Sequence, residues 1–156
     1  MIITLNEEQI NFAKDLGFKR SESKQHLETK NSKNFLKGKP PWHRHIVGAL
    51  GELAYSLYSK EEIDTSIIGR GDNGYDFKNK TDIKASDLSR KPNLIIGVNN
   101  FERKYAENYV LAWVKLPEIE LIGQISRNEI IKKNNIRNFG SGDVYFIPNY
   151  QLNKLI

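Results

Sequence analysis

Asp72-Asn73-Gly74-Tyr75-Asp76-Phe77-Lys78-Asn79-Lys80-Thr81-Asp82-Ile83-Lys84-Ala85 is the stretch on which the reading of this chain turns. Thr81 to Ser86 alternates polar and apolar side chains, the period of a strand with one face in the core. Side chains two apart share a face, so Asp82 and Lys84 point one way while Ile83 and Ala85 enter the core. The connection Lys78-Asn79-Lys80 sets the register of what precedes it. A three-residue loop pairs Phe77 with Thr81 and places Asp76 opposite Asp82 on the same face. A two-residue turn at Asn79-Lys80 instead pairs Asp76 with Ile83 and breaks the acid pair. Two carboxylates held so close repel unless a cation sits between them. Asp72 competes with Asp76 for this role, but Asp72-Asn73-Gly74 reads as an ordinary turn whereas Asp76 borders the strand.

Upstream, Trp42 to Tyr58 is helical by its period, with Ile46, Val47, Ala49, Leu50, Leu53, Ala54 and Leu57 forming a broad apolar stripe. Gly48 and Gly51, one turn apart, would let another backbone approach that helix closely. Glu52 is an acid within the most apolar helix of the chain. A carboxylate is costly to bury unpaired, so its placement points to a functional or metal-linked role. Nearer the N-terminus, Thr4 and Glu7 have capping-box spacing and open a helix through Ile10, Ala13 and Leu16, with Gly17 as its stop. Phe18 to Pro41 is rich in Ser, Lys and Asn and reads as a loop or poorly ordered arm, with a helical turn around Lys24 to Thr29. Strands are expected at 64–68, 75–77, 81–86, 94–98, 109–115 and 118–125. Ser126 and Glu129 repeat the capping-box spacing before a short helix ending at Lys132 or Lys133, and a last strand spans 144–147 before a turn from Gln151. No repeat and no second core appear. The pattern implies one α/β (α+β) domain over 1–156, a central mixed β-sheet flanked by helices.

Composition narrows the chemistry. With 156 residues, 38% of them hydrophobic, the chain can bury one ordinary core. The absence of cysteine excludes disulfides, thiolate zinc sites, iron–sulfur clusters and cysteine nucleophiles. No signal-peptide apolar region and no bilayer-length apolar run are present, so a soluble, cytoplasmic protein without a membrane partner is expected. The net charge of +5 is uneven: Lys19 to His45 carries +6, leaving −1 for the remainder. Such a basic segment can track phosphates, though a solvated loop would have the same composition. Lys37, Lys39, His43 and Arg44, together with Arg90 and Lys91 after the Asp82 strand, are the candidate nucleic-acid contacts.

An acid two residues before a lysine occurs five times in this sequence, so the Asp82-Ile83-Lys84 tripeptide alone decides nothing. Its apolar interleaving, the Asp76-Phe77 segment before it and the Glu52 helix upstream set it apart. Phosphodiester hydrolysis requires a catalyst that neutralises the phosphate, lowers the pKa of an attacking water and stabilises the leaving oxygen. Oxygen-bound Mg²⁺ meets all three needs, and carboxylates are its natural ligands. A lysine beside it can contact the scissile phosphate and orient the water.

The succession Gly48-x-x-Gly51-Glu52-x-Ala54, Gly71-Asp72-x-Gly74-x-Asp76-Phe77 and Asp82-Ile83-Lys84-Ala85-Ser86 resembles the PD-(D/E)XK nuclease superfamily, in the form found in small phage and prokaryotic nucleases and Holliday-junction resolvases. The likeness covers Ile46 to Ile125. Tyr75, not proline, precedes Asp76. The resemblance implies a restriction-endonuclease-like core, with Glu52, Asp76, Asp82 and the backbone carbonyl of Ile83 holding Mg²⁺, or Mn²⁺ as a substitute, and Lys84 as the catalytic lysine. The expected function is metal-dependent hydrolysis of DNA in recombination, repair, replication or phage–host conflict. RNA cleavage, or a non-catalytic binding or interaction module on the same fold, are the alternatives. Symmetric cutting of two strands calls for a homodimer, although no heptad or interface helix marks one.

Overall fold

The computed structural model describes residues 1–25, 38–67 and 74–156. Lys37, Asp72 and the turn expected before Gly74 lie outside the described residues, as does most of the helical turn expected around Lys24 to Thr29. Strand β1 (Ile2–Thr4) precedes helices α1 (Glu7–Gln25) and α2 (His43–Ser59). They are followed by β2 (Thr81–Ser86), β3 (Leu94–Gly97), α3 (Val98–Arg103), β4 (Asn108–Lys115) and β5 (Glu118–Ser126). Helix α4 (Arg127–Lys133), β6 (Ile136–Asn138), β7 (Asp143–Ile147) and a 3₁₀ turn at Asn149–Gln151 complete the order. One sheet runs β1-β5-β4-β2, with β2 parallel to β4 and the other pairs antiparallel. A smaller antiparallel sheet runs β3-β7-β6. The chain is a mixed α/β fold with a mixed sheet flanked by helices. Among the described residues no helix is long and apolar enough to cross a membrane.

Strand alternation supplies two apolar layers. Val110, Ala112 and Val114 of β4 pack on the α1/α2 side of the large sheet, while Tyr109 and Leu111 pack toward the small sheet, α3 and α4. In β5, Ile119, Leu121, Gly123 and Ile125 are all buried at every second position, as if they shared a face. They do not. The register passes from Leu111↔Gly123 to Ala112↔Leu121, leaving Ile122 as an extra residue in a bulge. Ile119 and Leu121 therefore join the helix-side core, and Ile125 the other.

Helix α2 buries Val47, Ala49, Leu50, Leu53 and Ala54 of its apolar stripe on the sheet, with Ile46 half-buried, but Leu57, expected in the stripe, is exposed. Of its two glycines only Gly51 meets another element closely: a Cβ there would lie 2.7 Å from that of Ala85 and 3.3 Å from that of Ala112. At Gly48 the same construction meets nothing within 4 Å. Gly17 does not stop α1. It lies where α1 crosses α2, and a Cβ would come 2.6 Å from the backbone of Ile46. The helix runs on to Gln25, so 18–25 is not loop; Ser21 is buried there, and tertiary contacts offset a weak amphipathic pattern.

The cap of α1 also differs from expectation. Thr4 pairs with Glu118 in β1, whereas Asn6 Oδ1 accepts from Gln9 N–H at 2.8 Å and Gln9 Oε1 accepts from Asn6 N–H at 2.9 Å. At α4 the expected Ser126/Glu129 capping box is present. Residues 61–67 form no strand, 75–77 is a bend, and Val98 begins α3 rather than ending β3. The first two segments lack a ladder partner, and a strand cannot outlast its partner's hydrogen bonds.

Candidate active site at the edge of the large sheet

Because the large sheet ends on β2, the outer N–H and C=O groups of that strand face the segment that folds back before it. Asp76 N–H and Phe77 N–H both donate to Thr81 O, at 2.9 and 3.2 Å, and Lys80 N–H donates to Phe77 O at 2.8 Å. Phe77 therefore faces Thr81 across Lys78-Asn79-Lys80, the longer of the two connections considered. Thr81 N–H, however, donates to Asn79 Oδ1 at 3.1 Å, so no ladder forms. The turn is anchored from below: Phe77 is buried edge-on against Tyr55 of α2, with ring centroids 4.9 Å apart, and Asn79 Nδ2 donates to the Tyr55 hydroxyl at 3.1 Å.

Freed from a strand, Asp76 does not form a cross-strand pair with Asp82. Its Oδ2 accepts from the Ile83 N–H at 2.6 Å. In an extended strand a residue's N–H and C=O point to the same edge, so the Ile83 carbonyl also faces outward. Burial, then the charges of Glu52 and Asp82, push the Asp76 carboxyl well above the usual carboxylate range. The Ile83 amide and Lys84 oppose that shift without overcoming it.

Asp82 and Lys84 share a face, as the period requires, but it is covered at Asp82 and open only toward Lys84. Asp82 is 1% exposed and lies in register beside Tyr109 of β4. Its Oδ2 accepts from Lys84 Nζ, and its Oδ1 is 3.4 Å from Lys104 Nζ. Burial first, and the charge of Asp82 second, raise the pKa of the Tyr109 hydroxyl. Glu52 is also buried, and its partner is Arg20 of α1, whose Nη1 lies 2.9 Å from Oε1 and 2.8 Å from Oε2. Arg20 Nη2 donates to the Asp64 carbonyl at 2.6 Å, fixing the guanidinium between α2 and the 61–67 segment.

Glu52 and Asp76 meet in a cleft of about 160 Å³ also lined by Arg20, Lys24, Arg44 and Asp64. The residues grouped as nucleic-acid contacts separate in space. Arg44 lines the cleft. Lys39 Nζ and His43 Nε2 both meet Asp87 Oδ2, at 3.1 and 2.7 Å. Burial acts to raise the Asp87 carboxyl, but Lys39 and His43 outweigh it and hold it below its ordinary value. Arg90 and Lys91 line a second hollow with Lys84, and Lys91 Nζ lies 2.5 Å from Glu120. Arg20, Lys104 and Asp87 are the participants that sequence reasoning missed. No local pattern marks them, because Arg20 and Lys104 meet their acids across 32 and 22 residues of chain.

Among the described residues no three Asp, Glu, His or Cys side chains stand as a preformed metal cage. Their oxygens are directed to Arg20, Lys84, Lys104 and the Ile83 amide. The donors are nonetheless of the type a hard cation takes: the carboxylates of Asp76 and of Glu52 and Asp82, which oppose its ionisation, and the outward-facing Ile83 carbonyl. No protein-family model, no curated protein and no solved structure matches the chain.

Proposed function

We propose that the chain is a metal-dependent nuclease of the PD-(D/E)XK kind with a restriction-endonuclease-like core, hydrolysing phosphodiester bonds in DNA. One observation carries the reading. The Asp76 carboxyl is bonded to the main chain of Ile83 and lies within the electrostatic reach of Glu52, Asp82 and Lys84 together. Three acids and a lysine converging on an edge strand are hard to account for by folding alone, since each buried acid costs stability unless compensated.

Glu52, Asp76, Asp82 and the Ile83 carbonyl are the groups that would hold Mg²⁺. When bound there, the ion supplies charge to the scissile phosphate and acidifies water. For Glu52 to serve as a ligand, Arg20 must give up at least one of its two oxygens. That places the guanidinium, already at the cleft, where it can take a phosphate oxygen instead. Lys84, held by Asp82 but only partly buried, is the group that would orient the attacking water and the phosphate.

The pairing of Arg20 with Glu52, and of Lys84 and Lys104 with Asp82, is also how a non-catalytic binding module would neutralise buried acids. Cleavage separates the two readings. With Mg²⁺ or Mn²⁺, the unaltered chain should cut DNA supplied as single strands, duplexes, flaps and junctions. Asp82→Ala and Lys84→Ala should each lose about a hundred- to a thousandfold of that rate while remaining folded and DNA-bound. Undiminished cutting by both variants removes the site assignment, and binding without cutting by the unaltered chain favours the module. Parallel assays on RNA decide which nucleic acid is the substrate.

A further inference from the structure

The second hollow is not absorbed by the acidic centre. It measures about 670 Å³ and runs along the C-terminal half of β2, the 87–93 connection and the outer face of the small sheet. Lys84, Arg90, Lys91 and Arg137 line it and no acidic residue does, although Lys84 is held by Asp82 and Lys91 by Glu120, neither of which is in the lining. Two aromatic rings stand among these cations. Phe146 of β7 is paired with Ile95 of β3 on the sheet's outward face, where Ile95 is 46% exposed. Phe139, beyond the end of β6, is 60% exposed, its ring centroid 5.9 Å from that of Phe146. The Arg137 guanidinium lies over the Phe146 ring at 4.1 Å.

Rings left exposed, as Phe139 is, or half-buried, as Phe146 is, have a cost in water that a solvated loop need not carry. Among cations of one sign, they form the pairing that single-stranded nucleic acid requires: charge for the backbone and flat apolar faces for the bases. A duplex presents its phosphates but keeps its base faces stacked inside, so it could use the cations and not the rings. An acidic peptide could likewise use only the charge.

We propose that this groove binds single-stranded nucleic acid, with a base stacked on Phe139 beside the Arg137–Phe146 pair and the backbone on Arg90, Arg137 and, in exchange for Glu120, Lys91, leading one end of the strand to Lys84. The link to Lys84 rests on the nuclease reading; the binding itself does not.

Fluorescence anisotropy with the full chain in EDTA tests it without cleavage, using labelled oligo-dT, oligo-U and a duplex of equal length. A single strand should bind more tightly than the duplex. Phe139→Ala, at an exposed position, should leave the thermal midpoint unchanged and weaken single-strand binding roughly tenfold. Arg137→Ala should lower the salt dependence by about one phosphate contact. Tighter binding of oligo-U than oligo-dT supports the groove and identifies RNA as its strand. Equal affinity for the duplex, displacement by polyglutamate as effective as by oligo-dT, or unaltered binding by Phe139→Ala overturns the proposal. Single-strand binding of this pattern without cleavage by the unaltered chain counts against the nuclease reading alone. Cleavage that persists while Phe139→Ala binds normally counts against the groove alone.

Discussion

The cleft among α1, α2 and Asp76 and the groove along β2 and the small sheet are built on opposite electrostatic plans. In the cleft Arg20, Lys24 and Arg44 face Glu52, Asp64 and Asp76 within about 160 Å³. In the groove Lys84, Arg90, Lys91 and Arg137 surround about 670 Å³ with no acid in its lining. A small hollow of mixed sign suits an ion and a single phosphate. A larger hollow of one sign suits a polymer of phosphates. Asp82 and Lys84 connect them, since Lys84 lines the groove while acting electrostatically on Asp76. Proximity in sequence is thus a poor guide to shared work: Arg44, His43 and Lys39 are near neighbours, yet only Arg44 reaches the cleft, while the other two close on Asp87.

The division can be broken at Arg20. Removing the guanidinium takes from the buried Glu52 its two-oxygen ion pair with Arg20, so Arg20→Ala should cost about 3–5 kcal/mol in urea unfolding. Adding Glu52→Gln should return part of the loss, a coupling a double-mutant cycle measures. Binding of oligo-dT should change little, because the groove lies elsewhere. A loss that Glu52→Gln fails to relieve would show that Arg20 acts through Asp64 instead.

A smaller effect is expected where α2 touches the sheet between the two hollows. Gly51→Val must displace the Cβ atoms of Ala85 and Ala112, so it should cost about 1–3 kcal/mol. The loss should appear as a lower thermal midpoint, with cleft and groove both impaired only in proportion to the unfolded fraction. Selective damage to one hollow would mean that α2 positions that side alone.

The finest test is the proton on Asp76. Its pKa in the folded chain is raised above that of an ordinary aspartate, so its contribution to stability is full below the ordinary value and lost as pH rises through the folded pKa. The metal-free chain should therefore lose stability across that interval, by no more than about 1.4 kcal/mol per pH unit for one proton. Asp76→Asn keeps an oxygen for the Ile83 amide and should flatten this slope while abolishing any stabilisation by Mg²⁺. Urea unfolding in EDTA and in Mg²⁺ at several pH values gives both results. An unchanged slope in Asp76→Asn would assign the proton elsewhere.

What was legible in the sequence was local. The period of α2, the alternation of Asp82 and Lys84 around Ile83, the core of β4 and the Ser126/Glu129 cap each depend on neighbours within a few residues, and all are present. What escaped depends on distant partners. β1 and β6 are three residues each and exist through pairing with β5 and β7. The extra residue at Ile122 sends one alternating run into two cores, a change of face that alternation alone cannot reveal. Glu52 stood out as an acid out of place, but nothing nearby in the sequence named Arg20 as its partner.

The fold-back of 74–80 onto β2 has a consequence beyond chemistry. An outermost strand with bare amides and carbonyls invites pairing with another copy of the chain, the first step toward aggregation. Here Thr81 O receives two N–H groups from the turn, and Ile83 N–H is held by a carboxyl oxygen rather than left for a foreign strand. Asp76 thus guards the sheet's border as well as lining the cleft, and a variant that removes its side chain altogether should be tested for clumping as well as for activity.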